Sequence, residues 1–196
     1  MMILGVCGSP RVQSKDYTLR IALSMLEDLG YRTEFWSVRG KNIGFCTHCN
    51  YCLNGEGCAI KDDMLDLYPL LEEANAYIFA TPVYMGGVSA QVKAVMDRTR
   101  ALLARNRKVF RNKVGVAIAI GRDRSGGQEL AIQQIITFYT CNGATTISGG
   151  FFGANIGASL WSKDNLEDIK MDEEGFRALR KTVKRLDEYL KGRIEI

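Results

Sequence analysis

The sequence predicts a doubly wound α/β sandwich: a five-stranded parallel sheet of order 2-1-3-4-5, with helices on both faces. Three observations lead there. Short, nearly continuous apolar runs recur at 1–8, 76–81 and 113–121, the pattern of strands buried on both faces of a parallel sheet. Segments of helical periodicity lie between them, and such alternation specifies parallel crossovers. Right-handed crossovers then leave few orders open to five strands.

The elements follow in order. "MMILGVCG" (1–8) is the first strand, and a helix with Leu19, Leu23, Leu26 and Leu29 on one stripe ends at Gly30, a residue suited to the left-handed cap. "YRTEFWSV" (31–38) alternates more and reads as an edge strand. Residues 39–63 are a cysteine-bearing loop, and a helix from about Met64 to Ala74 leads to the strand "AYIFAT". A single helix over 89–104, the strand "KVGVAIAIG", a helix over 127–141 and a fifth strand "ATTISGG" (144–150) come next. A stretch rich in Gly and Asn (150–165) precedes a last helix with Phe176, Leu179, Val183, Leu186 and Leu190 on one face. Residues 1–196 are expected to form one domain, with 39–63 as its inserted loop.

Bulk properties exclude several classes. A net charge of +4, with no long basic run, gives no footprint for nucleic acid. No apolar stretch approaches the ~20 residues that span a bilayer, and the apolar start lacks the basic lead of a signal peptide. A cytoplasmic protein is expected, in which six cysteines stay reduced and clustered ones bind metal or do redox chemistry. Cys7 and Cys141 read as small buried apolar residues.

In such sheets ligands bind at the carboxyl ends of the strands, at the switch point between the first and third. Those ends are "GSPR", "TPVYMGG" and "GRDRSGG". The first loop, "CGSPRVQSKDYT", is neither a dinucleotide fingerprint nor a Walker loop. It brings the hydroxyls of Ser9, Ser14 and Thr18, with Arg11, to a helix start, a cradle suited to one terminal phosphate. An ordinary turn and a solvated arginine are the plain alternative. Asp16 would repel a phosphate and is expected to cap the helix instead. Tyr84 and Met85 offer flat, polarisable surface to a planar ring, although taken alone such a pair reads as core packing.

Cys46, Cys49, Cys52 and Cys58 have the spacing C-x2-C-x2-C-x5-C. Two-residue gaps let thiolates converge from tight turns onto one cluster, and Gly55 and Gly57 let Cys58 fold back as the fourth ligand. Zinc sites more often pair two C-x2-C knuckles a dozen or more residues apart. Spacing therefore ranks a single [4Fe-4S] cluster first and zinc second, with a disulfide or unliganded thiols still open. His48, inside the loop, reads as an exposed side chain.

Together "GSPR", "TPVYMGG…SAQVKAVMDR" and "NKVGVAIAIGRDRSGGQE" resemble the flavodoxin-like FMN reductases, over residues 1 to roughly 150. With the cysteine loop after the second strand, the chain resembles the iron–sulfur flavoproteins of anaerobic archaea and bacteria. The resemblance implies FMN in the switch-point crevice, its phosphate on Ser9, Arg11 and Ser14 with neighbours up to Thr18. It places the ring against Pro82, Val83, Tyr84, Met85, Gly86 and Gly87, with Gly121 and Arg122 nearby. Lys15-Asp16-Tyr17 stand where relatives often have small polar residues.

The function expected is an electron-transfer flavoprotein that takes electrons from a ferredoxin-like carrier and passes them to a small acceptor such as oxygen, peroxide or a quinone. The mild positive charge suits an acidic ferredoxin. No His/carboxylate constellation assigns a catalytic acid or base. The resemblance also implies a homodimer or homotetramer, with the cluster of one subunit near the flavin of its neighbour. Two other readings stand beside it. One is an NAD(P)H-dependent FMN or quinone reductase with a structural or empty cysteine loop, and the other is a non-enzymatic redox- or metal-sensing module.

Overall fold

The computed structural model describes residues 1–11, 14–55, 57–150, 156–163 and 165–192. Strands β1 (Met2–Cys7), β2 (Arg32–Ser37), β3 (Ala76–Pro82), β4 (Val114–Gly121), β5 (Thr145–Thr146) and β6 (Ala158–Trp161) form one parallel sheet. Its order is β2-β1-β3-β4-β5, with β6 also paired to β4, which is the flavodoxin-like topology expected.

One difference lies at the far edge. The fifth position is filled by two pieces: β5 pairs with Val114 and Gly115, and β6 pairs with Ile118 to Gly121. Only Thr145 and Thr146 of the expected 144–150 strand are in the sheet. The second piece begins tightly against its neighbour, since a Cβ on Gly157 would lie 2.4 Å from the Ala117 carbonyl oxygen. The missed signal is the short alternation Ala158-Ser159-Leu160-Trp161, whose first and third residues are buried.

Every residue of β1, β3 and β4 is buried, and period-2 alternation divides them between two cores. Leu4, Val6, Tyr77, Phe79, Ala117 and Ala119 belong to one. It is covered by helices α2 (Met64–Glu73), α3 (Ala90–Arg98), α4 (Arg100–Arg105) and α5 (Gln128–Cys141). Ile3, Cys7, Ile78, Ala80, Val116 and Ile118 face the other. There α1 (Ser14–Glu27), α6 (Leu166–Lys170) and α7 (Glu173–Leu190) pack.

Three sequence expectations need correction. Helix α1 stops at Glu27, so Leu29 is exposed in the turn that Gly30 completes at φ 90°. The helix expected over 89–104 is broken at Thr99 into α3 and α4. Cys141 is exposed at the end of α5, whereas Cys7 is buried as expected. Among the described residues no helix is long and apolar enough to cross a membrane.

Candidate functional site: a switch-point crevice and a four-cysteine loop

Because every strand is parallel, the loops after β1, β3 and β4 emerge at one edge of the sheet. Side chains and close backbone approaches lock them together. The Gly8 N–H donates to the Ala80 carbonyl at 2.7 Å, and a Cβ on Gly8 would lie 2.0 Å from Val92 Cγ2. The Ser89 hydroxyl caps α3 by accepting from the Val92 N–H, and donates to the Gly8 carbonyl at 2.8 Å. The Ser89 N–H donates in turn to Thr81 Oγ1. Ser89→Ala removes a cap and the tie to Gly8, and is expected to cost about 1–2 kcal/mol. Denaturant titration checks this through a lowered midpoint at unchanged slope.

After β3 the chain makes a two-residue turn in which Tyr84 and Gly87 exchange backbone hydrogen bonds of 3.0 Å. Met85 (φ 49°) and Gly86 (φ 78°) both take positive φ, as a type I′ turn requires. The turn carries Tyr84, half-exposed, and Met85, fully exposed. The third loop lies against it, because a Cβ on Gly127 would meet Gly86 Cα at 3.1 Å and Val83 Cγ1 at 3.3 Å. Buried Gln128 holds this third loop by accepting from the Gly126 N–H and donating to the carbonyls of Asp123 and Leu160.

Ser9 is buried, and its hydroxyl both accepts from the Arg11 N–H and donates to the Arg11 carbonyl, so the first loop is a closed serine turn beside exposed Arg11. Ser14 opens α1, and its side chain lies outside the described residues. Thr18 is fully buried in α1. Asp16 lies inside the first turn of α1 and pairs with Arg20 at 2.9 Å, so it meets the helix dipole favourably. Pro82 and Gly121 are buried at the strand ends, while Val83 and Gly87 are half-buried and Gly86 and Arg122 exposed. Gly121 has no room for a side chain, as a Cβ there would be 2.5 Å from Gln128 Nε2.

The cysteine loop is built differently, with little regular structure beyond a 3-10 turn at Tyr51–Asn54. Its sharp turns place His48 (φ 54°), Asn50 (φ 63°), Gly55 (φ 83°) and Gly57 (φ 84°) in the left-handed region. His48 is exposed, as expected. Cys46, Cys49, Cys52 and Cys58 line one small open cleft, walled on its other side by Asp97, Arg98, Arg100 and Ala101. The Tyr51 N–H, against an opposing effect of desolvation and with help from the Thr47 hydroxyl, holds the Cys49 thiol below the usual range. Four free thiols facing one cleft are a donor set that fits an iron–sulfur centre.

Two arginines hold the loop on the protein. Arg98 is 1% exposed, and its Nη1 donates to the Gly44 carbonyl and Asp62 Oδ2, both at 2.8 Å. Its Nη2 donates to the Ile60 carbonyl at 3.1 Å and Asp62 Oδ1 at 3.0 Å. Arg100 reaches the cleft from the next helix, with Nη1 3.8 Å from Cys52 Sγ and Nη2 2.8 Å from Asn50 Oδ1. The two arginines flank Thr99, where α3 gives way to α4, and both border the one cleft. Burial pushes the Tyr68 hydroxyl up to about 12, and it donates to the Arg98 carbonyl. Sequence reading missed Asp62, Arg98 and Arg100, and equally Thr81, Ser89 and Gln128. Each has a partner eight or more residues away that local spacing does not mark, although the Ser89 cap of α3 is itself a local signal.

Comparison with known proteins fits both halves of this arrangement. Residues 1–159 match the model of the NADPH-dependent FMN reductase family. An iron-sulfur flavoprotein of Archaeoglobus fulgidus is 61% identical over 189 residues, covering 96% of this chain and 97% of that one. One from Methanocaldococcus jannaschii is 48% identical over 193 residues, covering 97% and 98%. Among solved structures, RosB with a bound riboflavin-phosphate intermediate superposes with a TM-score of 0.72 at 16% identity, over 94% of this chain and 75% of that one. The switch-point crevice, the cysteine loop and these likenesses agree: this chain belongs to the iron–sulfur flavoproteins of the NADPH-dependent FMN reductase family and is a flavin-dependent oxidoreductase.

Proposed function

We propose that this chain is an electron-transfer flavoprotein that holds FMN in the switch-point crevice and one [4Fe-4S] cluster on Cys46, Cys49, Cys52 and Cys58. It would take electrons from a ferredoxin-like carrier in the cytoplasm and deliver them to a small acceptor. FMN exchanges one or two electrons and a cluster one, so the pair converts between one-electron carriers and two-electron acceptors. The protein's own work is placement. Ser9 and Arg11, with Ser14, would hold the phosphate, and the turn from Pro82 to Gly87 would bear the ring, backed by Gly121 and Arg122.

The observation that carries this reading is that all four cysteines border a single cleft. The compact C-x2-C-x2-C-x5-C spacing favours a cluster over zinc, whose sites more often pair two C-x2-C knuckles a dozen or more residues apart. A homodimer or homotetramer accompanies the reading. A groove of about 1000 Å³, bordered by Tyr84, Met85, Met96, Leu103 and Phe138, starts at the β3 turn and reaches Arg100 at the cleft. A neighbouring subunit seated there would join flavin and cluster.

Elemental and flavin analysis of protein purified without oxygen tests this. About four iron, four sulfide and one FMN per chain are expected, with a broad absorption shoulder over the flavin bands. Flavin without iron would overturn the cluster, and zinc would make the loop structural. A second reading, reduction of the flavin directly by NAD(P)H, is favoured by the matched family's description. Rapid bleaching of the flavin by NAD(P)H would select it.

A further inference from the structure

We propose that Arg100 sets the reduction potential of the cysteine-bound centre, raising it by stabilising the added electron. The inference rests on the reading that the loop holds a one-electron cluster. It starts from where Arg100 stands. The residue opens α4 immediately after the break at Thr99, and it borders both the four-cysteine cleft and the groove that leads to the β3 turn.

Two contacts fix its guanidinium. One wing is 3.8 Å from Cys52 Sγ, and the other donates to Asn50 Oδ1 at 2.8 Å. Asn50 is set by the loop itself, in a left-handed conformation (φ 63°) between Cys49 and Tyr51. A planar fork with separate donors can hold both partners at once, which the single ammonium of a lysine cannot do in the same geometry.

Among the described residues no carboxylate pairs with Arg100, whereas its neighbours' charges are paired. Asp62 neutralises Arg98 across a bidentate contact, and Lys93 engages Asp97 at 2.5 Å. The partners of Arg100 among the described residues are an amide oxygen and a thiol. One-electron reduction moves an electron from a one-electron carrier onto the centre, oxidising the carrier by one electron. With no proton taken up, the cleft becomes more negative by one unit. A cation at hydrogen-bond distance from a ligand sulfur stabilises that reduced state more than the oxidised one, and a hydrogen bond to the sulfur acts in the same direction.

The test is a redox titration of the whole anaerobic protein against one-electron mediator dyes, reading the paramagnetic signal of the reduced cluster. Iron and sulfide are counted on the same samples. Arg100→Gln is expected to shift the electron-sharing equilibrium toward the dye on the order of tenfold. That corresponds to a potential lower by about 59 mV for a one-electron couple. Arg100→Lys keeps the charge and is expected to retain most of the wild-type potential. If Arg100→Gln cannot hold iron, Asn50→Gly is read instead. Glycine accepts the left-handed backbone but frees the guanidinium, so a smaller shift in the same direction is expected.

Iron-replete Arg100→Gln with the wild-type potential would overturn the inference. So would a lysine variant that falls as far as the glutamine one, or an Asn50→Gly protein with unmoved potential. Wild-type protein without iron would instead overturn the cluster reading, and this inference with it.

Discussion

Replacing Arg98 with alanine is expected to destabilise the protein by about 3–5 kcal/mol, the cost of leaving a buried charge without its partner. The guanidinium is buried, and its four contacts reach Gly44, Ile60 and both oxygens of Asp62, bracketing the cysteines between residues 44 and 62. Without it the Asp62 carboxylate stays in a site where its side chain is 4% exposed, and two loop carbonyls lose their donor. The cleft is expected to open and iron retention to fall. Denaturant unfolding and iron content measure the two effects. Full stability with a normal iron count would refute the clamp.

The same pair has a pH signature. Burial alone would raise the Asp62 carboxyl, but the Arg98 guanidinium and the Gly44 N–H override it and hold the carboxyl below its ordinary value. A group lowered in the folded state stabilises above its unfolded value, near 3.9, and loses that contribution as pH falls through the folded value. The clamp is therefore expected to be at full strength at pH 7 and to weaken only below about pH 4. Asp62→Asn should flatten the part of the acid limb that this carboxylate contributes. An unaltered acid limb in that variant would show that the pair does not govern it.

Replacing Cys52 with alanine is expected to abolish the cluster while leaving FMN bound, which is the largest functional effect of any single change. A four-thiolate centre that loses one ligand has no spare cysteine nearby, since Cys7 is buried in β1 and Cys141 is exposed at the end of α5. Cys52 is half-buried in the 3-10 turn and packs at the margin of the core. Losing its thiol should change stability of the metal-free chain by no more than about 1 kcal/mol. The switch-point crevice takes its residues from the loops after β1, β3 and β4, none of them in 39–63. The expected spectrum is that of flavin alone, with iron near zero and FMN unchanged. Retention of full iron would remove Cys52 from the ligand set, and loss of FMN together with iron would show that the two sites depend on one another.

The sequence was sufficient for whatever depends on local pattern. Continuous apolar runs can be buried only between two helical layers, so β1, β3 and β4 and their order were legible, and with them the edge where the crevice lies. The compact cysteine spacing was legible too, because two-residue gaps restrict what four thiolates can surround. What only the tertiary structure decided depends on where the chain returns to itself. The split fifth position arises because the backbone at Gly157 comes back against Ala117, a meeting that no window around either residue displays. The interruption at Thr99 falls within a stretch whose helical periodicity is unbroken in sequence. That stretch divides into two helices at Thr99, on either side of which Arg98 binds carbonyls and a carboxylate from the cysteine loop and Arg100 reaches Cys52 and Asn50. Hydrogen bonds between residues 36 to 54 positions apart fixed those two side chains. Local periodicity carries no information about such partners, and that is why the cysteine motif could be read from the sequence while Asp62, Arg98 and Arg100 around it could not.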